Sequence, residues 1–387
     1  MNITWVTRSF LDYRIPVYAE LDKLSGNNLT VIYNAEVVPE RCQENLKAIL
    51  GNRAIGLTGE IRIGGKQKEN QTFANKAGIR IPIRLGLINI IKKTKPTIVL
   101  SDGFFQWTYA ALVLNALFKV RHIMCYERTG YTERNVTFIR KNARKIAARF
   151  ISGICCNGIE TKTYLEKFGF PSEKLFLGNM AADTKGLQLA LSKVENKDIQ
   201  LLKNNYNIKG LVFLYVGQLI ERKGVMELLQ SWRAFVKEKT NISLLLLGDG
   251  NQTDEVQDYI AQYELDSVKL IGKIEYSQVA NYYALSDVFI IPTLEDNWSL
   301  VVPEAMSCGL PILSSIYNGC WPELVKKENG WVFDPLDENN FIETLEAALE
   351  KKDDWIAMGN ASTKIVENFS PEIISKKIFD ACMTILK

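Results

Sequence analysis

The chain reads as an α/β protein of two Rossmann-like domains, each a parallel sheet covered by helices, and three features of the sequence carry that reading. Its 387 residues, 47% of them hydrophobic, exceed what one core usually supports and suffice for two. Short apolar runs alternate with helical patterns along the chain, as in parallel strands joined by helical crossovers. A polar stretch, "GNMAADTKGLQLALSKVENKDIQLLKNN", divides those runs into two sets and reads as the interdomain connection. The domains are expected at residues 1–185 and 186–365, with a terminal helical segment at 366–387.

The first set of strands is "ITWVT", "LTVIYN", "TIVLS", "HIMCY" and "GICCN"; the second is "LVFLYV", "ISLLLLG", "VKLIG", "VFIIPT", "PILSS" and "WVF". In open sheets of this type ligands bind beyond the carboxyl ends of the strands, so the loops after strands are where function is sought. Charge separates the halves as well. Residues 1–185 hold 28 Lys and Arg against 15 Asp and Glu, a surplus of 13, and the remainder holds 19 against 29, a deficit of 10. A basic domain fused to an acidic one points the first toward an anionic partner, either a phosphate-bearing molecule or an acidic bilayer, with nucleic acid as the competitor.

Neither a membrane span nor a disulfide framework is expected. The run "FFQWTYAALVLNALF" at 104–118 is too short for a bilayer core of ~30 Å and reads as a buried helix. The seven cysteines lack metal-ligand spacing, and "MNITWVTRSF" does not have the pattern of a signal peptide, so reduced thiols and a cytoplasmic location are expected. The segment "FIRKNARKIAARF" at 138–150 is different. Phe138, Ile139, Ile146 and Phe150 form a helical stripe flanked by Arg140, Lys141, Arg144, Lys145 and Arg149, which suits either an anionic lipid surface or a helix packed on its own domain.

Two loops of the second domain carry chemistry. In "VGQLIERKG" Gly217 closes a strand, and Lys223 precedes a helix expected to begin near Val225, so a phosphate there would meet an ammonium and free helix N–H groups. In "LEDNWSLVVPEAMSCGLP" a short helix is expected with Pro303 in its first turn, Gly309 as its stop and Pro311 beyond. Its first-turn N–H groups, near Leu300 and Val301, form a second anion site, and Glu304 in that turn can accept hydrogen bonds from sugar hydroxyls. Glu304 also suits a purely structural role, an acid complementing the helix dipole.

Taken together, "VGQLIERKGVMELL", "LLLLGDG", "VKLIGKIEYSQVANYYALSDVFIIPT", "EDNWSLVVPEAMSCGLPIL" and "NGWVFDPLD" resemble, in order and spacing, the family 4 retaining glycosyltransferases of the GT-B fold. The resemblance implies two Rossmann-like domains facing across a cleft, a nucleotide-sugar donor held mainly by the second, and a final helix around "SPEIISKKIFDACMTIL" crossing back to the first. It gives Glu304 the ribose of the donor and Lys223 the diphosphate. The family's first glutamate contacts the donor sugar; Asp296 stands at that position with Glu295 beside it, and either can fill the role. Asn297, Trp298 and Ser299 replace a glycine-rich triplet, and Trp298 either stacks on the sugar or anchors the loop. Gln218 stands where an arginine is common, which leaves Lys223 and the helix amides with more of the neutralisation.

The resemblance further implies a donor of the UDP or GDP type, no cofactor or metal, no nucleic acid, and a saccharide acceptor. The basic first domain suits an acceptor on a lipid diphosphate, as in bacterial capsule, O-antigen or exopolysaccharide assembly, at the inner face of the cytoplasmic membrane. Its side of the cleft is expected to carry Arg8, Asp12, Tyr13 and Arg14 from "TRSFLDYR" and Glu127, Arg128 and Tyr131 from "YERTGYTERN". Many relatives place a histidine near the donor sugar; the single histidine here, His122, lies within the "HIMCY" strand and reads as a core residue, leaving Glu127 or Tyr131 as substitutes. A nucleotide-sugar 2-epimerase and a non-catalytic nucleotide-sugar-binding module share the architecture and remain alternatives. A nicotinamide-dependent dehydrogenase is disfavoured because "TRSFLDYR" is no glycine fingerprint.

Overall fold

A computed structural model describes residues 1–63, 81–178, 180–182, 184–237 and 239–387. The chain divides into two compact units, Met1–Ala181 with Phe369–Lys387, and Ala182–Asn368. The first contains strands β1 (Ile3–Val6), β2 (Leu29–Asn34), β3 (Ala54–Leu57), β4 (Ile61–Ile63), β5 (Ile81–Ile83), β6 (Ile98–Asp102), β7 (Arg121–Tyr126), β8 (Gly153–Cys156) and β9 (Leu175–Leu177). Seven of these form a parallel sheet in the order β3-β2-β1-β6-β7-β8-β9, and β4 pairs antiparallel with β5. Because β1 leads outward to β2 in one direction while β6 lies on its other side, the topological switch point falls between β1 and β6.

One face of this sheet is closed by helices Ile15–Leu24, Glu40–Leu50 and Pro371–Leu386. The last of these supplies Ile374, Ile378, Ala381 and Cys382 to the same core as Trp5, Tyr18 and Leu21, and Ser375 Oγ donates to Val17 O at 3.0 Å. On the other face Leu112, from helix Thr108–Phe118, shares a core cluster with Ala147, from helix Phe138–Ala148. His122 is completely buried, as its place in the strand predicts; its Nε2 lies 2.8 Å from Ser101 Oγ, and burial lowers its pKa to about 4.

The second unit contains β10 (Leu211–Val216), β11 (Ile242–Leu247), β12 (Val268–Gly272), β13 (Val288–Ile291), β14 (Ile312–Ser315) and β15 (Gly330–Phe333). They form one parallel sheet in the order β12-β11-β10-β13-β14-β15, with the switch point between β10 and β13. All six strands coincide with the apolar runs of the sequence. The first unit is less complete in the sequence, where "AIGL" and "LFL" are too short to show a period.

The polar stretch after residue 177 is not an extended connection. It folds into helices Thr184–Leu191 and Asn196–Asn205, the second opened by a capping box between Glu195 and Asp198, and both pack on helices of the second unit. All seven cysteines are free thiols. Among the described residues no helix is long and apolar enough to cross a membrane, and no group of three His, Cys, Asp or Glu side chains is placed to hold a metal ion.

Candidate functional site

The switch point of the second unit brings together the two loops that the sequence singles out. β10 and β13 are direct neighbours, so the loop after β10 and the loop after β13 leave the sheet side by side. Gly217 follows β10 and donates its N–H to Leu247 O at 2.9 Å. Close approach of backbone explains the glycines on the adjoining loop: a Cβ on Gly248 would lie 1.8 Å from Gly217 O. After a short 3-10 turn, Glu221–Lys223, Gly224 takes a φ of +70° and helix Val225–Phe235 begins. A Cβ on Gly224 would stand 2.1 Å from the carbonyl of Pro292, just past β13, which seals the two loops against each other. The Arg222 carbonyl then gathers the second loop by accepting from Thr293 Oγ1, Leu294 N and Glu295 N.

Lys223 and Asp296 meet in this frame. Lys223 Nζ donates to Asp296 Oδ2 at 2.5 Å, with both side chains only 13–14% exposed. Ser299 Oγ donates to the same oxygen at 2.7 Å, and Trp298 N–H to Oδ1 at 3.2 Å. Burial alone would raise the pKa of Asp296, but the charge and hydrogen bond of Lys223, the Ser299 hydroxyl and the charge of Arg222 outweigh it and hold the carboxyl below its ordinary value. The Asp296 backbone bridges to Asn318, whose side-chain oxygen receives Ser299 N–H at 3.3 Å.

The helix expected in "VVPEAMSCG" spans Val301–Ser307, with Leu300 at its start and Gly309 at φ +77° beyond its end. Glu304 lies in its first turn and is partly exposed; Tyr283 Oη donates to Glu304 Oε2 at 3.2 Å. Gln218 is exposed on the first loop, its carbonyl held by Tyr215 Oη at 2.8 Å. Of the two readings of Trp298, anchoring is the observed one. The indole is 4% exposed and gives its Nε1–H to Glu323 Oε1 at 2.9 Å, so its faces are committed to the protein. Glu295 is buried at 1% exposed, and Asn297 at 7%, with Oδ1 facing no donor among the described residues.

The loops of the first unit form a different arrangement. Tyr13 and Arg14, following β1, and Asp102, ending β6, lie at that unit's switch point, and Glu127 is close enough for its charge to act on Tyr13. Arg14 is buried, 5.1 Å from the centre of the Trp5 ring and 3.9 Å from Asp102 Oδ1, which also accepts Trp5 Nε1–H at 3.1 Å. Burial raises the Asp102 pKa, and Arg14, Thr7 and Trp5 only partly offset it. Tyr13 is raised too, chiefly by burial.

The remaining residues expected on the acceptor side are engaged within the unit. Arg8 makes a two-pronged contact with Glu60, at 3.1 and 3.0 Å, and that carboxylate also receives Asn34 and Trp107. Asp12 pairs with Arg41 at 2.5 Å on the surface. Arg128 lies 3.7 Å from the buried Glu133, which Arg144 grips as well, so Arg144 turns inward and does not flank the apolar stripe. The Tyr131 ring carries the Arg134 guanidinium 3.9 Å from its centre.

Sequence reasoning missed Asp102, Glu60, Tyr283, Asn318 and Glu323. Asp102 had a signal, since it directly follows the "TIVLS" run at a strand terminus; the others act through partners far away in sequence.

The fold and the loops around Lys223 and Glu304 define a class. Residues 196–365 match the family described as glycosyl transferases group 1, and the two-unit architecture is the GT-B α/β fold. Among individual proteins, the chain is 29% identical over 204 residues to the capsular polysaccharide biosynthesis glycosyltransferase CapM of Staphylococcus aureus, covering 52% of each sequence. It is 25% identical over 284 residues to an uncharacterized glycosyltransferase of Haemophilus influenzae, covering 72% of this chain and 73% of the relative. In most of the curated relatives it matches, the similarity spans about half their length or less. Anabaena Alr3699/HepE in complex with UDP superposes with a TM-score of 0.75 at 16% identity over 99% of this chain and 100% of that one. The same protein with UDP-glucose gives 0.70 at 15%, over the same shares of the two chains.

Proposed function

We propose that the chain is a family 4 retaining glycosyltransferase. It moves a hexose-type sugar from a nucleotide diphosphate sugar to a saccharide acceptor in bacterial surface-polysaccharide assembly. The observation that carries this reading is the convergence of Lys223, Asp296 and the Glu304 helix at the switch point of the unit that matches the family. The nucleotide-sugar relatives, among them HepE with UDP-glucose, support the donor class.

In this reading Lys223 and the first-turn N–H groups of its helix neutralise the diphosphate, with Gln218 adding an uncharged donor. The amides of Leu300 and Val301 face the same charge, and Glu304 takes the ribose hydroxyls. Asp296 orients Lys223. An ionised carboxylate has about four acceptor sites, and Lys223, Ser299 and Trp298 fill three, which leaves one for a hydroxyl of the donor sugar. Glu295 and Trp298 hold the loop, and Asn297 offers an unmatched acceptor beside them. The acceptor hydroxyl attacks from the face the nucleotide leaves, a leaving phosphate oxygen takes its proton, and configuration is retained without a metal.

Calorimetric titration of UDP and GDP into the wild type and Glu304→Ala tests the donor site. One nucleotide should bind and weaken by about tenfold in the variant, the worth of one or two lost hydrogen bonds; binding that ignores the substitution refutes the assignment of Glu304.

The acceptor is assigned to the first unit and to a lipid diphosphate at the inner face of the cytoplasmic membrane. Phe138 and Ile139 are 77% and 80% exposed on their helix, and Ile146 and Phe150 continue the stripe among Arg140, Lys141, Lys145 and Arg149. Such a face suits anionic lipid better than water. The protein should sediment with vesicles containing phosphatidylglycerol and not with pure phosphatidylcholine, and Phe138→Ser with Ile139→Ser should abolish the difference; equal sedimentation with both vesicles would refute it.

A further inference from the structure

The chain has seven tryptophans, and they divide by what their indole N–H groups do. Trp5 donates to Asp102, Trp107 to Glu60, Trp232 to Ser267, Trp298 to Glu323 and Trp355 to Ala348 O. Trp321 and Trp331 have no such partner among the described residues. These two line one open pocket of about 550 Å³ in the second unit, over the edge strand β15 and between helices Trp321–Leu324 and Glu338–Glu350. The volume lies within the ~300–1,000 Å³ typical of small-molecule sites. Neither Lys223, Asp296, Ser299 nor Glu304 contributes to its wall.

The lining narrows the chemistry of an occupant. Both indoles are partly exposed, so each offers apolar ring surface and a free donor. Around them stand Lys327 and Glu343, both exposed, and Asn340. Lys326 also lines the pocket, its Nζ donating to Pro322 O at 2.5 Å, so the rim carries two cations against one anion and offers more donors than acceptors, which suits a ligand rich in hydroxyl oxygens. A ligand that fits must present flat C–H faces to the indoles, acceptors to their N–H groups, and hydroxyls that both give and receive. A pyranose does all three: its ring carries C–H bonds on one face and hydroxyls around the perimeter.

We propose that this pocket is a second saccharide-binding site, separate from the donor site, that holds a segment of the glycan on which the enzyme works. The identity of that glycan rests on the sugar-transfer reading above; the pocket's chemistry does not. A site of this kind keeps a long acceptor or product near the enzyme between turnovers, raising its effective concentration without touching the reacting atoms.

The test is retention of the whole protein on a printed array of bacterial and plant glycans, run beside calorimetry with UDP and GDP. Wild type should hold a subset of glycans. Trp321→Ala and Trp331→Ala should each cut that signal about tenfold or more, as loss of a buried aromatic anchor does, with affinity for whichever of UDP and GDP the wild type binds within about twofold of wild type as evidence that the unit is folded. Trp331→Phe, which keeps a ring and removes the N–H, should fall between. No retained glycan, or retention unchanged in both alanine variants, overturns the proposal. So does retention lost equally in Glu304→Ala, which would place the glycan in the transfer site. Retention on a peptide array in place of glycans would hand the pocket to an extended chain paired on β15 and also overturn it. The two readings fail separately: array binding with neither UDP nor GDP bound defeats the donor assignment alone, and the reverse defeats the pocket alone.

Discussion

The two switch points place the same pair of charges in the same topological position, yet their carboxylates respond in opposite directions. Each has a basic side chain from the loop after the unit's first strand, Arg14 or Lys223, and an acid from the neighbouring strand's side, Asp102 at the end of β6 or Asp296 on the loop after β13. Burial pushes both acids up. At Asp296 a 2.5 Å contact with Lys223, joined by Ser299, reverses the push; at Asp102 the 3.9 Å gap to Arg14 leaves burial ahead. About 1.4 Å of separation and a direct hydrogen bond therefore decide in which direction the pKa of each carboxyl moves. The difference suits the tasks proposed above for the two units, a fixed cation for a diphosphate in one and a polar surface for an acceptor in the other.

The strongest way to break this comparison is to remove the fixed cation. Lys223→Ala should lower sugar transfer by ~10²–10³-fold, the range for one electrostatic donor to a developing anion, while Gln218→Ala should cost far less because Gln218 brings no charge. Equal losses in a steady-state assay would mean that charge is not what the loop provides.

Stability gives a smaller and sharper contrast. Asp296→Ala strands the Lys223 ammonium and should cost about 3 kcal/mol at neutral pH, the lower end for breaking a buried pair. The two acids should also differ in pH dependence. Asp296 has a depressed folded pKa, so its contribution is complete above the ordinary carboxylate value and is lost only as pH falls through the lower folded value. Asp102 has a raised folded pKa, so its ionisation penalises folding progressively as pH climbs from the ordinary value through the folded one. Denaturation midpoints of wild type, Asp296→Ala and Asp102→Asn from pH 3 to 7 would show it. The Asp102→Asn variant should gain on wild type as pH rises, and a gap that stays constant would remove the contrast.

The same contrast explains what the sequence made legible. The second unit's site is written locally: Gly217 to Lys223 and Leu294 to Glu304 each run continuously from a strand into a helix, and all six strands coincide with mainly apolar runs. In the first unit, Asp102 meets Arg14 only because β6 is inserted beside β1, and Glu60 collects Arg8, Asn34 and Trp107 from three separate segments. Sheet order creates those neighbours, and no spacing along the chain encodes it. Trp298 was ambiguous for a related reason, since its partner Glu323 lies beyond the next strand. The helices at Thr184–Leu191 and Asn196–Asn205 were hidden by polarity, with few buried residues to mark a face.

The helix Pro371–Leu386 has a consequence in time. Its Ile374, Ile378, Ala381 and Cys382 complete a core whose other members, from Ile3 to Ala181, are synthesised before the whole second unit. While the ribosome translates the intervening 182–368 segment, the first unit lacks that helix over the core that holds Tyr18 and Leu21. The core of the first unit therefore cannot be completed until the whole chain has been made.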